Sequence, residues 1–149
     1  MSLLATVRPD AWNFPLFLHV LGAMVLIGAA VVGVVGGIGS TLVPDPATLR
    51  RLAFRSLLFV ALPAYIVMRV GAEWIHEKEF GNSDEDPAWI GIGYITADAG
   101  ALLLLISLIL SGLAARRSSG TLAKVGGVVI AIALAGWVVA VWAMGAKPD

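Results

Sequence analysis

Ala101-Leu102-Leu103-Leu104-Leu105-Ile106 is a run with no polar residue and no alternation of apolar and polar positions. A transmembrane β-strand alternates every second residue, so this run is incompatible with a barrel wall. It lies inside a longer apolar stretch, Ala88–Ala114. Crossing a hydrocarbon core takes about 20 helical residues. Three further stretches meet that length: Phe14–Val43, Leu52–Ile75 and Val125–Met144. The sequence therefore predicts an all-α chain, an integral membrane up-down four-helix bundle forming one domain over 1–149. Composition agrees, since 59% of the 149 residues are hydrophobic and only 13% charged, whereas soluble domains run at about a quarter charged.

Several function classes drop out at once. Ten basic and ten acidic side chains balance, with no basic stripe and interleaved aromatics, so no nucleic-acid partner is predicted. Without cysteine there are no disulfides, thiolate metal sites or cysteine nucleophiles. The glycines of Gly33-Val34-Val35-Gly36-Gly37-Ile38-Gly39 sit within a span rather than between a strand and a soluble helix, which excludes a phosphate loop. No Gly-x-Ser-x-Gly elbow occurs, and His76-Glu77 lacks a second histidine four positions on. The expectation is a protein without catalytic residues of its own.

Orientation follows from the connections Pro44-Asp45-Pro46, Gly81–Pro87 and Arg116-Arg117-Ser118-Ser119-Gly120. Arg50, Arg51 and Arg55 flank the first, and Arg116, Arg117 and Lys124 the third. The second is acidic, with Glu77, Glu79, Asp84, Glu85 and Asp86 around Lys78. Basic residues in short loops stay cytoplasmic, so both termini and the acidic loop are expected outside a plasma membrane. The first span has only Arg8, balanced by Asp10, ahead of it and is longer than a signal peptide's apolar core, so its retention is expected. Trp12, Trp74, Trp89 and Trp142 fall at the expected outer ends, as interfacial indoles do, while Trp137 lies deeper as a packing residue.

Small residues recur every fourth position as Ala29-Gly33-Gly37, Gly93-Ala97-Ala101 and Gly127-Ala131-Ala135. Such stripes allow close helix contact in lipid, either within the chain or with a homodimer or other membrane-protein partner, and surface left over by a small bundle favours a dimer. Pro63, in mid-span, is expected to kink its helix.

Ionisable groups inside the spans carry the functional expectation. A charge at mid-membrane costs about 2.5–3.5 kcal/mol on insertion scales, so each needs a partner or water. Counting from the tryptophan layer at ~1.5 Å per residue puts His19 roughly 10 Å, Arg69 roughly 7 Å and Asp98 roughly 13 Å inside. Three helices thereby pool ionisable groups in one layer. Arg69 reaches Asp98 on its long stem, Glu73 pairs with Arg69 across one turn, and Tyr65 and Tyr94 flank them. This cluster of His19, Arg69, Glu73, Asp98 and Tyr94 is either a structural ion pair that sets helix register or an outward-facing binding or proton-transfer site.

Two histidines raise the question of haem or copper. His19 and His76 differ in depth by roughly 13 Å, a poor match for paired axial ligands. Met24 and Met68 are alternative soft ligands. His76 reads as an exposed surface histidine, His19 as an imidazole bonded to Asp98 or to a backbone carbonyl, and His76, Glu73, Glu77 and Glu79 are further metal candidates at the outer face.

The phrase Phe17-Leu18-His19-Val20-Leu21-Gly22-Ala23-Met24-Val25-Leu26-Ile27-Gly28 resembles the first helix of small bacterial membrane proteins related to the copper-resistance D-type membrane domain. The resemblance covers about a dozen residues; it implies a polytopic bundle with a metal or haem connection through His19. Two functions are thus expected to compete: a non-enzymatic membrane subunit or transport-related component using the polar cluster, and a haem- or copper-binding protein using His19.

Overall fold

The structure, a computed structural model, describes residues 10–81 and 87–147. After a 3-10 turn at Asp10–Trp12, the chain forms α1 (Asn13–Gly39), α2 (Pro46–Ser56), a π-helical turn (Leu57–Ala61), α3 (Leu62–Phe80), α4 (Ala88–Arg117) and α5 (Gly120–Ala146). Helix α2, the π turn and α3 run on as one rod, so four helices are long and apolar enough to cross a membrane. The acidic residues expected in the second connection, Asp84, Glu85 and Asp86, lie outside the described residues.

Several helix ends depart from the hydropathy boundaries, some of them where side chains capture backbone groups. The first span stops at Gly39 rather than Val43. Ser40 Oγ donates to the Gly37 carbonyl at 2.8 Å and Thr41 Oγ1 to that of Ile38 at 2.7 Å, which satisfies the last turn and releases the chain. The second span begins at Pro46, well before Leu52, because an Asp45 carboxylate oxygen accepts the Ala47 N–H at 3.3 Å and proline suits the first helical position. Arg50, Arg51 and Arg55 consequently stand on helix, not in a loop. The second span continues past Ile75 to Phe80, and the third past Ala114 to Arg117. Ser118 then adopts a left-handed conformation, and Ser119 Oγ accepts the Leu122 N–H at 3.3 Å, starting the last helix at Gly120 rather than Val125.

Pro63 is expected to kink its helix; it cannot donate to the carbonyl one turn back, and what the structure has there is a wide π turn at Leu57–Ala61, ending two residues before it, within a rod that runs on.

Neighbouring rods run antiparallel, around the ring α1, α2–α3, α4, α5. Gly22 of α1 rests against the backbone of Ala64 and Met68, and Gly71 of α3 against that of His19 and Pro15. Nearer the arginine-bearing end, Gly36 meets Leu49 and Ala53, Gly37 meets Ala123 and Gly127, and Ser56 Oγ donates to the Ala29 carbonyl at 3.0 Å. Between α4 and α5, Gly100 receives the Trp137 indole and Ser107 Oγ donates to the Gly126 carbonyl at 2.8 Å. Leu26, Ala30, Leu57, Leu104, Ile130 and Ala133 fill the centre.

The small-residue stripes are used unevenly. Ala29, Gly33 and Gly37 are all buried, but the α5 stripe engages through Gly127 and leaves Ala135 exposed. Trp74 and Trp142 are exposed, Trp12 and Trp89 half-buried, and Trp137 is buried as expected of a packing residue.

One pair of neighbours is different. Helix α2 packs on α4, but beyond the π turn α3 turns its close packing to α1 and touches α4 only sparsely. The bundle is therefore splayed between α3 and α4 at its tryptophan-bearing end.

Candidate functional site

The splay is bridged by side chains rather than by backbone contact. Tyr65 donates its hydroxyl to the Ala97 carbonyl at 3.3 Å. One turn further along α3, Arg69 Nη2 lies 3.3 Å from Asp98 Oδ1 while its Nε lies 3.1 Å from Glu73 Oε1. A third rung is formed by the Tyr94 hydroxyl, which donates to Glu73 Oε2 at 3.1 Å. The Arg69 guanidinium also covers the Tyr94 ring, 4.6 Å from its centroid. Four of the five residues expected to cluster are thus brought together. The side chain of Asp98 is 66% exposed on the flank of the bundle, that of Glu73 51%, and that of Arg69 only 27%. The pair is not an enclosed core salt bridge; it is a strap across an open seam.

Behind the strap lies a cavity of about 260 Å³ reached by all four rods. Its deep end is apolar, with Ala23, Leu26, Ile27 and Trp137. Towards the tryptophan-bearing end the lining becomes polar and aromatic, through His76, Glu79, Phe80, Trp89, Tyr94 and Lys147. Arg69, Tyr94 and Ala97 contribute to this lining and to the strap alike, so the wall on that side is one layer of side chains thick.

His19 is the fifth expected member, and it belongs to the cavity rather than to the ion pair. Its Nδ1 lies 3.1 Å from the Met68 carbonyl, which can only accept, so Nδ1 carries the proton and donates. Of the two partners considered from sequence, Asp98 and a backbone carbonyl, the structure selects the carbonyl. The reason is the glycine contact: Gly22 and Gly71 let α1 and α3 approach until the imidazole reaches the facing backbone.

His76 departs from expectation. Instead of standing free on the surface it is half-buried, stacked on Phe80 with centroids 5.7 Å apart and edge-on to Tyr94 at 5.6 Å. Phe80 in turn meets Trp89 edge-on at 6.0 Å, and Lys147 Nζ sits 5.1 Å from the Trp89 centroid. These rings form the rim of the cavity. Met68 lines the cavity, but Met24 is 68% exposed on the outside of α1 and is removed as a ligand candidate there. Among the described residues no group of three or more His, Asp and Glu side chains converges as a metal site, so the proposed set of His76, Glu73, Glu77 and Glu79 is not one.

Sequence reasoning missed Phe80, Trp89 and Lys147 as site residues. Trp89 was legible only as an interfacial indole. The spacing His19-x-x-Gly22 was the available signal for the α1 wall, since glycine one turn from a histidine marks where a second backbone approaches. Comparison with protein-family models, characterised proteins and solved structures finds no match for this chain.

Proposed function

We propose that this chain is a non-enzymatic integral membrane protein, a subunit or transport-related component, with a binding site for an apolar or amphipathic small molecule in its outward-facing half. Membrane residence is supported by four long rods whose apolar side chains point outward all round, among them Val35, Phe59, Ile95, Leu102, Ile109 and Ile132, each more than half exposed. The basic residues Arg50, Arg51, Arg55, Arg116, Arg117 and Lys124 gather at one end and face the cytoplasm. The tryptophan-bearing end and both termini then face outward at the plasma membrane.

The observation that carries the binding site is the cavity itself. Ligand sites are concave and mostly apolar with a few convergent polar groups, and this cavity combines an aliphatic and indole floor with a rim of His76, Tyr94, Arg69 and Lys147. The Arg69–Asp98 contact closes its flank. Brominated stearate is the test probe, because bromine quenches a tryptophan it touches and Trp137 lines the cavity floor. Saturable quenching is expected in the wild-type protein. Arg69→Gln, which removes a cation lining the cavity, is expected to weaken it by about tenfold, the scale of losing one charged contact at a site, with little change in thermal unfolding in detergent. Loss of stability without loss of binding would make the pair a structural brace.

One observation favours a second reading. The His19 Nδ1 is held by a backbone carbonyl, the arrangement that orients an imidazole for ligation through Nε2. This accords with the haem or copper connection implied by the first-helix resemblance. A cavity of about 260 Å³ is below the usual size of drug-sized ligand sites, so haem, like the full length of an eighteen-carbon chain, would require the splay to widen. Protein from haem- and copper-replete cells decides the matter: a Soret band or stoichiometric copper that His19→Ala abolishes supports this reading, and a colourless, metal-free sample with His19 intact removes it.

A further inference from the structure

The strap stands on an exposed flank of the bundle, not at its end. Three contacts, Tyr65 to Ala97, Arg69 to Asp98 and Glu73 to Tyr94, bridge the two helices that lack close backbone packing. By contrast, α3 is locked to α1 where Gly22 and Gly71 meet backbone, and α4 to α5 where Gly126 approaches the Ser107 carbonyl. Side-chain rungs open by rotamer changes, which take far less rearrangement than separating helices packed backbone to backbone. The rungs are also half exposed on the outside and reach the cavity on the inside through Arg69 and Tyr94.

We propose that the α3–α4 seam is a lateral portal through which a single-chain amphiphile dissolved in the outer leaflet enters the cavity, with the Arg69–Asp98 and Glu73–Tyr94 contacts as its latch. The polarity of the lining sets the orientation. The tail lies towards Leu26, Ile27 and Trp137, and the head stays near Arg69, His76 and Lys147, where guanidinium and ammonium donors serve a head that accepts hydrogen bonds. Because the seam faces the acyl region, such a ligand never has to take its tail through water. A long-chain carboxylate is the simplest molecule of this class. The inference rests on the reading of the cavity as a binding site and adds the ligand class and its route.

The chain has no native cysteine, which permits a direct test. Glu73→Cys with Tyr94→Cys removes one rung and places a thiol on each side of the seam. Vesicle-reconstituted protein loaded with tritiated oleate is mixed with excess acceptor vesicles, and oleate release is timed before and after joining the thiols with a short reducible bifunctional thiosulfonate. The untethered double variant is expected to release oleate faster than wild type. The tethered form is expected to release it about tenfold more slowly, with the rate restored by reductant, because closing a shared route slows exit and entry alike. Saturable oleate binding with a release rate indifferent to the tether overturns the portal and leaves the binding site standing. No saturable oleate binding in the wild-type protein overturns the site reading as well.

Discussion

Gly71→Leu is expected to cost this protein its folded state in detergent, while Gly28→Leu leaves it intact. Both glycines lie in apolar helices long enough to cross a membrane, and the substitution adds the same hydrophobic side chain to each, so hydropathy does not separate them. Packing does. A Cβ at Gly71 would stand 2.5 Å from the His19 backbone nitrogen and 2.9 Å from the Pro15 carbonyl oxygen, whereas nothing lies within 4 Å of one at Gly28. Backbone atoms have no rotamer with which to yield, so α1 and α3 must move apart. Overpacking a close contact typically costs about 1–3 kcal/mol, and the clash begins at the first added carbon. Gly71→Ala should therefore already lower the midpoint of thermal unfolding, and Gly71→Leu should abolish the monodisperse species on size exclusion. The same separation withdraws His19 from the Met68 carbonyl and deforms the cavity wall. Equal behaviour of the variants at Gly71 and Gly28 would show that the α1–α3 contact does not hold the fold.

Trp137→Ala should be the second large effect, and Trp137→Phe the informative companion. Trp137 is 4% exposed, pressed on Gly100, and forms part of the cavity floor. Truncating a buried tryptophan to alanine costs about 3–5 kcal/mol, since the contacts vanish and the space does not close. Its Nε1 is buried with no hydrogen-bond partner among the described residues. Leaving such a donor unsatisfied costs about 1–3 kcal/mol, which phenylalanine recovers while retaining an aromatic ring against Gly100. Phenylalanine is thus expected to leave stability within about 1 kcal/mol of wild type by unfolding in denaturing detergent, the lost ring offset by the removed donor. A phenylalanine variant as damaged as alanine would mean that the indole N–H is satisfied and structurally required.

Much of the site was legible before the fold was known. Charges inside apolar spans are few, and the depth of each follows from helical rise, so His19, Arg69 and Asp98 could be placed in one layer, with Glu73 and Tyr94 one turn above. Their shared surface was not legible. The sequence left open whether the pair is buried or outward-facing and whether His19 meets Asp98 or a carbonyl; in the structure Asp98 stands largely exposed on the flank, and His19 is directed to the carbonyl. His76 was assigned to the surface from its position beyond Trp74, without the knowledge that Phe80 and Tyr94 would enclose it. The boundaries at Gly39 and Pro46 escaped a hydropathy reading because they are set by Ser40, Thr41 and Asp45, polar residues whose effect is local hydrogen bonding.

The amino-acid order by itself determines that there are four helical rods, and it concentrates basic residues at one end and tryptophan at the other. Those properties are sums along the chain, over about 20 residues per rod, and do not depend on which rod neighbours which. Only the tertiary structure decides that α3 leaves α4 for α1 after the π turn, because that choice depends on Gly22 and Gly71 meeting across two helices far apart in the chain. The cavity and its strap exist through that divergence. A void is a property of the distance between backbones, and no single residue encodes it.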